Sequence, residues 1–294
     1  MSDPQTQYQP RLQRRRRAGR IFHLVCGTTS VVGLAFLVVL IARVLLEGAA
    51  WFSWKFLNSF PSTLYPETAG VKSALWGTIW IIVITAMVAV PVGVAAAVYL
   101  EEYAENNRVT RFIHLNIANL AGVPSIVYGI LGLAVFVRWM RFDRSILSGA
   151  LTLSLLIMPV IIIATREALL AVPQSFRHAA YALGATRWQT VRAHVLPAAM
   201  PGIMTGIILA VSRAIGEAAP LLMIGALTYV AFVPEGLRDG FVALPLQIYD
   251  WCDRPQPVFH HLAAAGIIAL LGILLPMNAI AVAIRAWHQR RKAW

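Results

Sequence analysis

Six stretches of this chain are long and apolar enough to cross a lipid bilayer, and this restricts the fold more than any other feature. A spanning helix needs about 20 mostly apolar residues, because the hydrocarbon core is about 30 Å thick and a helix rises 1.5 Å per residue. The stretches run Ile21–Ala42, Ser73–Leu100, Phe112–Val137, Ser145–Thr165, Pro201 to about Leu227, and Leu262–Ile284. Five of them contain no Asp, Glu, Lys or Arg; only the fifth does. Within a bilayer each backbone polar group must find its partner inside the protein, so an all-α membrane protein with six transmembrane helices is expected. The balance of residues agrees: 59% are hydrophobic and 13% charged, whereas a soluble globule carries about a quarter charged residues.

Topology accounts for the formal charge of +12. With the amino terminus inside, the inner segments hold Arg11, Arg14, Arg15, Arg16, Arg17, Arg20, Arg108, Arg111, Arg166, Arg177, Arg187, Arg192, Arg285, Arg290, Arg291 and Lys292. The outer segments hold Arg43, Lys55, Lys72, Arg138, Arg141, Arg144, Arg238 and Arg254. Sixteen against eight predicts both termini in the cytoplasm, with the cluster Arg138–Arg144 running against the trend. Basic residues dispersed between apolar runs form no continuous face, so no nucleic-acid partner is expected. Residues 1–20 read as a disordered basic cytoplasmic tail, 21–46 as the first transmembrane helix, 73–285 as the main transmembrane domain with an inner loop at 166–200, and 286–294 as a cytoplasmic tail. Arg14–Arg17 resemble the start of a secretory signal, but the apolar run after them is too long and lacks a small-residue exit, so a retained anchor is expected. The two cysteines, Cys26 and Cys252, define neither a disulfide framework nor a metal site.

Pro91, Pro124, Pro159 and Pro276 sit inside spans and invite kinks. Around Pro124 the third span also carries Gly122, Ser125, Gly129 and Gly132. Small residues permit close helix approach; the same broken backbone could line a substrate path, and tight packing is the simpler reading. No convincing internal repeat is present, which counts against an inverted-repeat carrier.

The inner loop reads as two short amphipathic helices around a glycine turn. Pro173 suits the first turn of one, Ala179–Leu183 form its body and Gly184 its C-terminal cap. The second starts after Thr186, carries Trp188, Val191 and Val195, and is closed by Leu196 and Pro197. Exposed apolar teeth beside four arginines fit a ridge seated in a partner's groove, and equally an interfacial helix on anionic membrane lipid. Spacing favours the first. The run HAAYALGATRWQTVRAHVLPAAMPG resembles the coupling-loop signature of ABC importer permeases, with Ala179, Ala180, Gly184, Leu196 and Pro197 on its positions. Two positions depart from it: His178 replaces the signature glutamate and His194 the isoleucine. No Gly-x-x-x-x-Gly-Lys-Ser/Thr loop occurs, so ATP hydrolysis is expected in a partner and this chain is expected to be no enzyme.

In the fifth span Arg213 and Glu217 lie four residues apart, so they are expected to share one helix face. A charge near the bilayer centre costs about 2.5–3.5 kcal/mol, so such residues face water, substrate or each other. A guanidinium suits a tetrahedral oxyanion; a purely structural pair is the other reading. The strings AVSRAIGEAAPLLMIGA, VYLEEYA and GVPSIVYGILGLAVFV resemble phosphate-specific ABC importer permeases of the PstA type, and together they cover most of the chain from Ser73 to Arg285. The resemblance implies a type I importer permease fold in a bacterial plasma membrane, with Arg213 contacting phosphate and Glu217 orienting it. It also implies partners: a sister permease, an ATPase dimer and an external phosphate-binding protein. No cofactor is expected in this chain. The outer loops, Glu47–Lys72 and Thr228–His261, are long enough to meet the binding protein; Trp251, Asp250 and Arg254 either contact it or simply pack the loop. The alternatives are a permease for sulfate or molybdate, an ATP-independent channel or carrier, and a membrane enzyme, for which His260 and His261 are too little.

Overall fold

In the computed structural model, which describes residues 12–226 and 229–290, every regular element among the described residues is a helix. The first helix, α1, runs Leu12–Gly48. Its start lies well before the expected Ile21, so residues 12–20 are not a disordered tail but the first turns of the anchor, arginine being a good helix former. Met1–Arg11, Leu227, Thr228 and the last four residues lie outside the described part. After the short outer helix α2 (Trp54–Asn58), α3 spans Lys72–Val98 and ends in a wide π turn, Tyr99–Tyr103.

The third span is not one helix. α4 (Arg108–Ala121) and α5 (Ser125–Gly132, continued by a π turn to Trp139) meet at a bend of 103°. The cause is local: Pro124 has no N–H to donate and disfavours helical backbone at Val123, and α4 stops at Gly122. Tyr128 bridges the break, its hydroxyl donating at 2.8 Å to the Leu120 carbonyl, which also accepts from the Val123 amide. α4 keeps its polar residues on one side and buries none of its residues in this chain.

α6 (Ile146–Leu170) is the most buried span and the axis of the bundle, packed on α3 and on α9 (Leu196–Gly216). Buried polar side chains tie α3 to α6: Thr85 donates to the Ala150 carbonyl and Ser154 to the Thr85 carbonyl. A β-carbon on Gly206 of α9 would stand 2.2 Å from that of Ala164 on α6, so glycine is what permits their approach. The inner loop carries α7 (Gln174–Ala182) and α8 (Arg187–Thr190); α9 covers Leu196–Gly216 and α10 Ala219–Ile224. The outer loop forms α11 (Leu244–Cys252), and α12 (Pro257–Arg290) completes the bundle, extending into what was expected as tail. α12 is tied to α9 by Asn278 with Ser212 and by Arg285, which donates to Thr205 at 2.9 Å.

On the outer side the loops fold into a cap. Trp251, 1% exposed, stacks obliquely on Phe56, and Phe241, Val242 and Leu244 are buried beside it. Thr78 of α3 accepts from the Leu244 amide at 2.8 Å. α1, by contrast, is exposed along nearly all of its length and meets α12 at its outer end, at Gly48.

Candidate functional site

The fifth span is also interrupted, at the place where its charges sit. α9 ends at Gly216, Glu217 has extended backbone, and α10 restarts at Ala219. The expected continuous helix to about Leu227 is therefore wrong; Pro220, in the first turn of α10, cannot donate to the Gly216 carbonyl, and the chain steps aside there. Arg213 still meets Glu217, Nε donating to Oε1 at 3.2 Å, but from the last helical turn to a capping residue rather than along one helix face.

The two broken spans lie against each other. α5 packs on α10, with Gly129 so close to Pro220 and Met223 that a β-carbon would stand 2.7 Å from each. Likewise Gly132 faces Thr152 of α6. Gly129 and Gly132 thus serve packing, as the simpler reading expects, whereas Gly122 is exposed and meets only its own turn. Arg213 stands near enough to Tyr128 of α5 for its charge to act on the phenol. Its side chain is 46% exposed and that of Glu217 17%. A half-exposed guanidinium at the end of a transmembrane helix cannot face hydrocarbon cheaply. It needs water, an anion or another protein chain beside it. Irregular backbone at membrane depth carries the same requirement, since its unpaired groups must be met by water or protein.

The inner loop is the second site. α7 and α8 stand as expected on either side of Gly184, whose φ of +81° is the left-handed conformation that glycine adopts without strain. The Ala185 amide donates to the Ala180 carbonyl at 3.1 Å and the Gly184 amide to Tyr181 at 2.9 Å, which makes a complete Schellman cap. Thr186 opens α8 in a reciprocal capping box with Gln189. Ala179 and Gly184 are exposed, Ala180 is buried, and Phe176, Tyr181, Leu183 and Trp188 project outward, Leu183 at 89% exposure. Leu196 and Pro197 do not close the second helix. It passes through a π turn, Val191–Val195, straight into α9, because a wide turn accommodates a proline that has no N–H for the ladder. Arg187–Gly216 is one uninterrupted helical run.

Of the four arginines given to the ridge, Arg177 is buried. Its Nη2 donates to Glu102 at 2.6 Å, and Arg166 donates to Glu101 at 3.1 Å. These glutamates were missed as partners; the available signal was two adjacent carboxylates directly after an uncharged span. His178 is exposed and lines a recess of 260 Å³ with Glu101, Glu102, Tyr181 and Arg187. On the outer side Trp251 is core, Arg254 pairs with Asp250 at 3.0 Å, and its guanidinium covers the Phe259 ring, so these residues pack the loop. Among the described residues no cluster of three metal-ligating side chains occurs.

Comparison with known proteins adds a sequence likeness and a fold likeness. The family model described as "Binding-protein-dependent transport system inner membrane component" matches residues 89–294. The chain is 33% identical to the phosphate transport system permease protein PstA 1 of Mycobacterium tuberculosis over 97% of its own length and 94% of the relative's. It is 37% identical to the probable ABC transporter permease protein YqgI of Bacillus subtilis over 69% of this chain and 68% of that one. Among solved structures, a chain of a bacterial ABC transporter for import of the acidic polysaccharide alginate superposes with a TM-score of 0.64, 15% identity, and coverage of 97% and 100%. A chain of the inward-facing MetNI methionine ABC transporter superposes with a TM-score of 0.61, 18% identity, and coverage of 73% and 94%.

Proposed function

Since this chain belongs to the family of binding-protein-dependent transport system inner membrane components, we propose that it forms one half of the pore through which an ATP-driven importer carries inorganic phosphate. Its fold is that of type I ABC importer permeases, and it is a multi-pass protein of the plasma membrane. The observation that carries the cargo is the likeness, along nearly the whole chain, to permeases named for phosphate transport.

Arg213 supplies the chemistry. Its exposed guanidinium, beside the break in the fifth span, offers charge-assisted hydrogen bonds to a tetrahedral oxyanion passing between this chain and a sister permease. Glu217 holds Nε, which leaves the other nitrogens free to reach out and lowers the net charge so that the anion is released. The α7–Gly184–α8 ridge docks on an ATPase dimer, which hydrolyses the nucleotide; an external binding protein delivers phosphate to the outer cap. Both termini lie in the cytoplasm on this reading, which the arginine distribution supports. Access alternates as the ridge follows closure of the ATPases.

A second reading keeps everything but the cargo, because a guanidinium recognises charge and tetrahedral shape, which sulfate and molybdate share. Uptake of labelled phosphate into vesicles bearing the assembled complex decides the matter. Phosphate uptake that needs ATP and resists a large excess of sulfate or molybdate supports the reading. Equal competition by either anion, or uptake without ATP, overturns it.

A further inference from the structure

Three arginines of the inner loop, each on a different element, converge on the last turn of α3. Arg166, near the end of α6, reaches Glu101; Arg187, at the start of α8, lies over the Tyr103 ring with 5.3 Å to its centroid. Between them Arg177 of α7 grips Glu102, Nη2 donating at 2.6 Å and Nε at 3.4 Å. The rest of its fork is used as well: Nη1 donates to the Val172 carbonyl at 2.9 Å and Nη2 to that of Leu169 at 3.1 Å. The wide π turn lets three consecutive residues fan out to three separate elements. Glu102 is 6% and Arg177 8% exposed, beside a small apolar core of Val98, Leu169, Val172, Val191 and Val195.

A ridge that only had to seat in a groove would need no such anchorage. α8 already runs by continuous helix into α9, so displacement of the ridge reaches α9 through the backbone. No helix runs on from α7 into α3; besides the packing of α6 on α3, the link between them is made by side chains. A buried ion pair in which all three guanidinium nitrogens are engaged fixes an angle as well as a distance, and neither partner can leave without stranding the other's charge. We propose that the Glu102–Arg177 pair is the mechanical joint that makes α3 move with the docking ridge, so that α3 and α9 are driven as one unit. Both residues are positioning residues and touch neither cargo nor nucleotide. The inference rests on the importer reading above.

The test uses the complete complex in lipid vesicles and reads phosphate carried per ATP hydrolysed. Glu102→Gln, and the double variant Glu102→Gln with Arg177→Gln, which leaves no lone buried charge, each lower that ratio at least about tenfold. Arg177→Lys keeps the charge, loses the fork and does not restore it. A second readout needs no cargo. In a chain lacking Cys26 and Cys252, spin labels at Ala104 and at Ser175, which is exposed on α7, flank the joint. Their separation stays narrow through the ATP cycle in the parent and broadens in the double variant. A ratio within about twofold of the parent in both Gln variants, or a label distance as narrow in the double variant as in the parent, overturns the joint. Loss of the ATPase from both variant complexes also overturns it, since the pair would then only support the ridge. A parent complex that carries no phosphate sinks the cargo reading alone, and the label distances still decide the joint.

Discussion

Arg213 shows how much one side chain can be asked to do. Charge-assisted hydrogen bonds contribute about 1.5–3 kcal/mol each, so Arg213→Gln should reduce phosphate uptake by about tenfold to a hundredfold while the complex still assembles. Uptake near the parent level from an intact complex would remove Arg213 from the path. Lysine at this position retains the charge but not the fork and should fall between the two. A different residue tests the outer cap. A β-carbon at Gly77 would stand 2.1 Å from the Val242 carbonyl, which is backbone and cannot swing away. Gly77→Ala should therefore destabilise by about 1–3 kcal/mol, read as a lower unfolding temperature of the purified complex. An unchanged melting curve would show that the cap yields. At this scale the sequence was partly legible. Arg213 and Glu217 announce themselves as charges in an otherwise uncharged span. Glu102 does not, because its partner is 75 residues away and only the fold makes them neighbours.

Among the elements, the ridge was readable and the broken spans were not. Gly184, Thr186 and Gln189 are local signals: each acts on backbone within four residues, so the sequence carries the whole instruction. The break at Gly122–Pro124 hides from an average of hydropathy, since the strongly apolar α5 carries the window across the amphipathic α4; only the proline and glycine hinted at it. The same holds at Gly216–Pro220, where the expected single helix is two. The extension of α8 into α9 was missed for the opposite reason, a proline read as a stop when the π turn before it absorbs the lost hydrogen bond. The ridge makes a clear prediction. Gly184→Ala places a β-carbon in left-handed backbone at a cost of about 1–2 kcal/mol, with no steric crowding to confuse the result. Phosphate carried per ATP should drop, and Gly184→Asn, which tolerates that backbone, should recover most of it. Equal transport ratios in parent, Ala and Asn chains would take the turn out of the mechanism.

For the molecule as a whole, the exposed length of α1, the half-exposed Arg213 and the outward teeth of the ridge all describe a chain that is complete only in company. Vesicles holding this chain and its sister permease alone should show no phosphate flux above background. Adding the ATPase, the binding protein and ATP should start it. Flux from the permeases alone would favour the channel reading. The two ends of α3 differ in what holds them: Gly77 lies hard against the outer cap, and Glu102 lies in the grip of the ridge. At 1.5 Å per residue these points are about 37 Å apart, so the joint proposed above would make α3 a lever held at Gly77 and driven at Glu102. On that proposal, travel imposed at Glu102 shrinks in proportion along the shaft: at Gly93, seated on Ile161, it is about two thirds of the input, and at Gly77 it vanishes. Such a lever would tilt rather than slide, swinging the Glu102 end of this half wide while its Gly77 end stays nearly still.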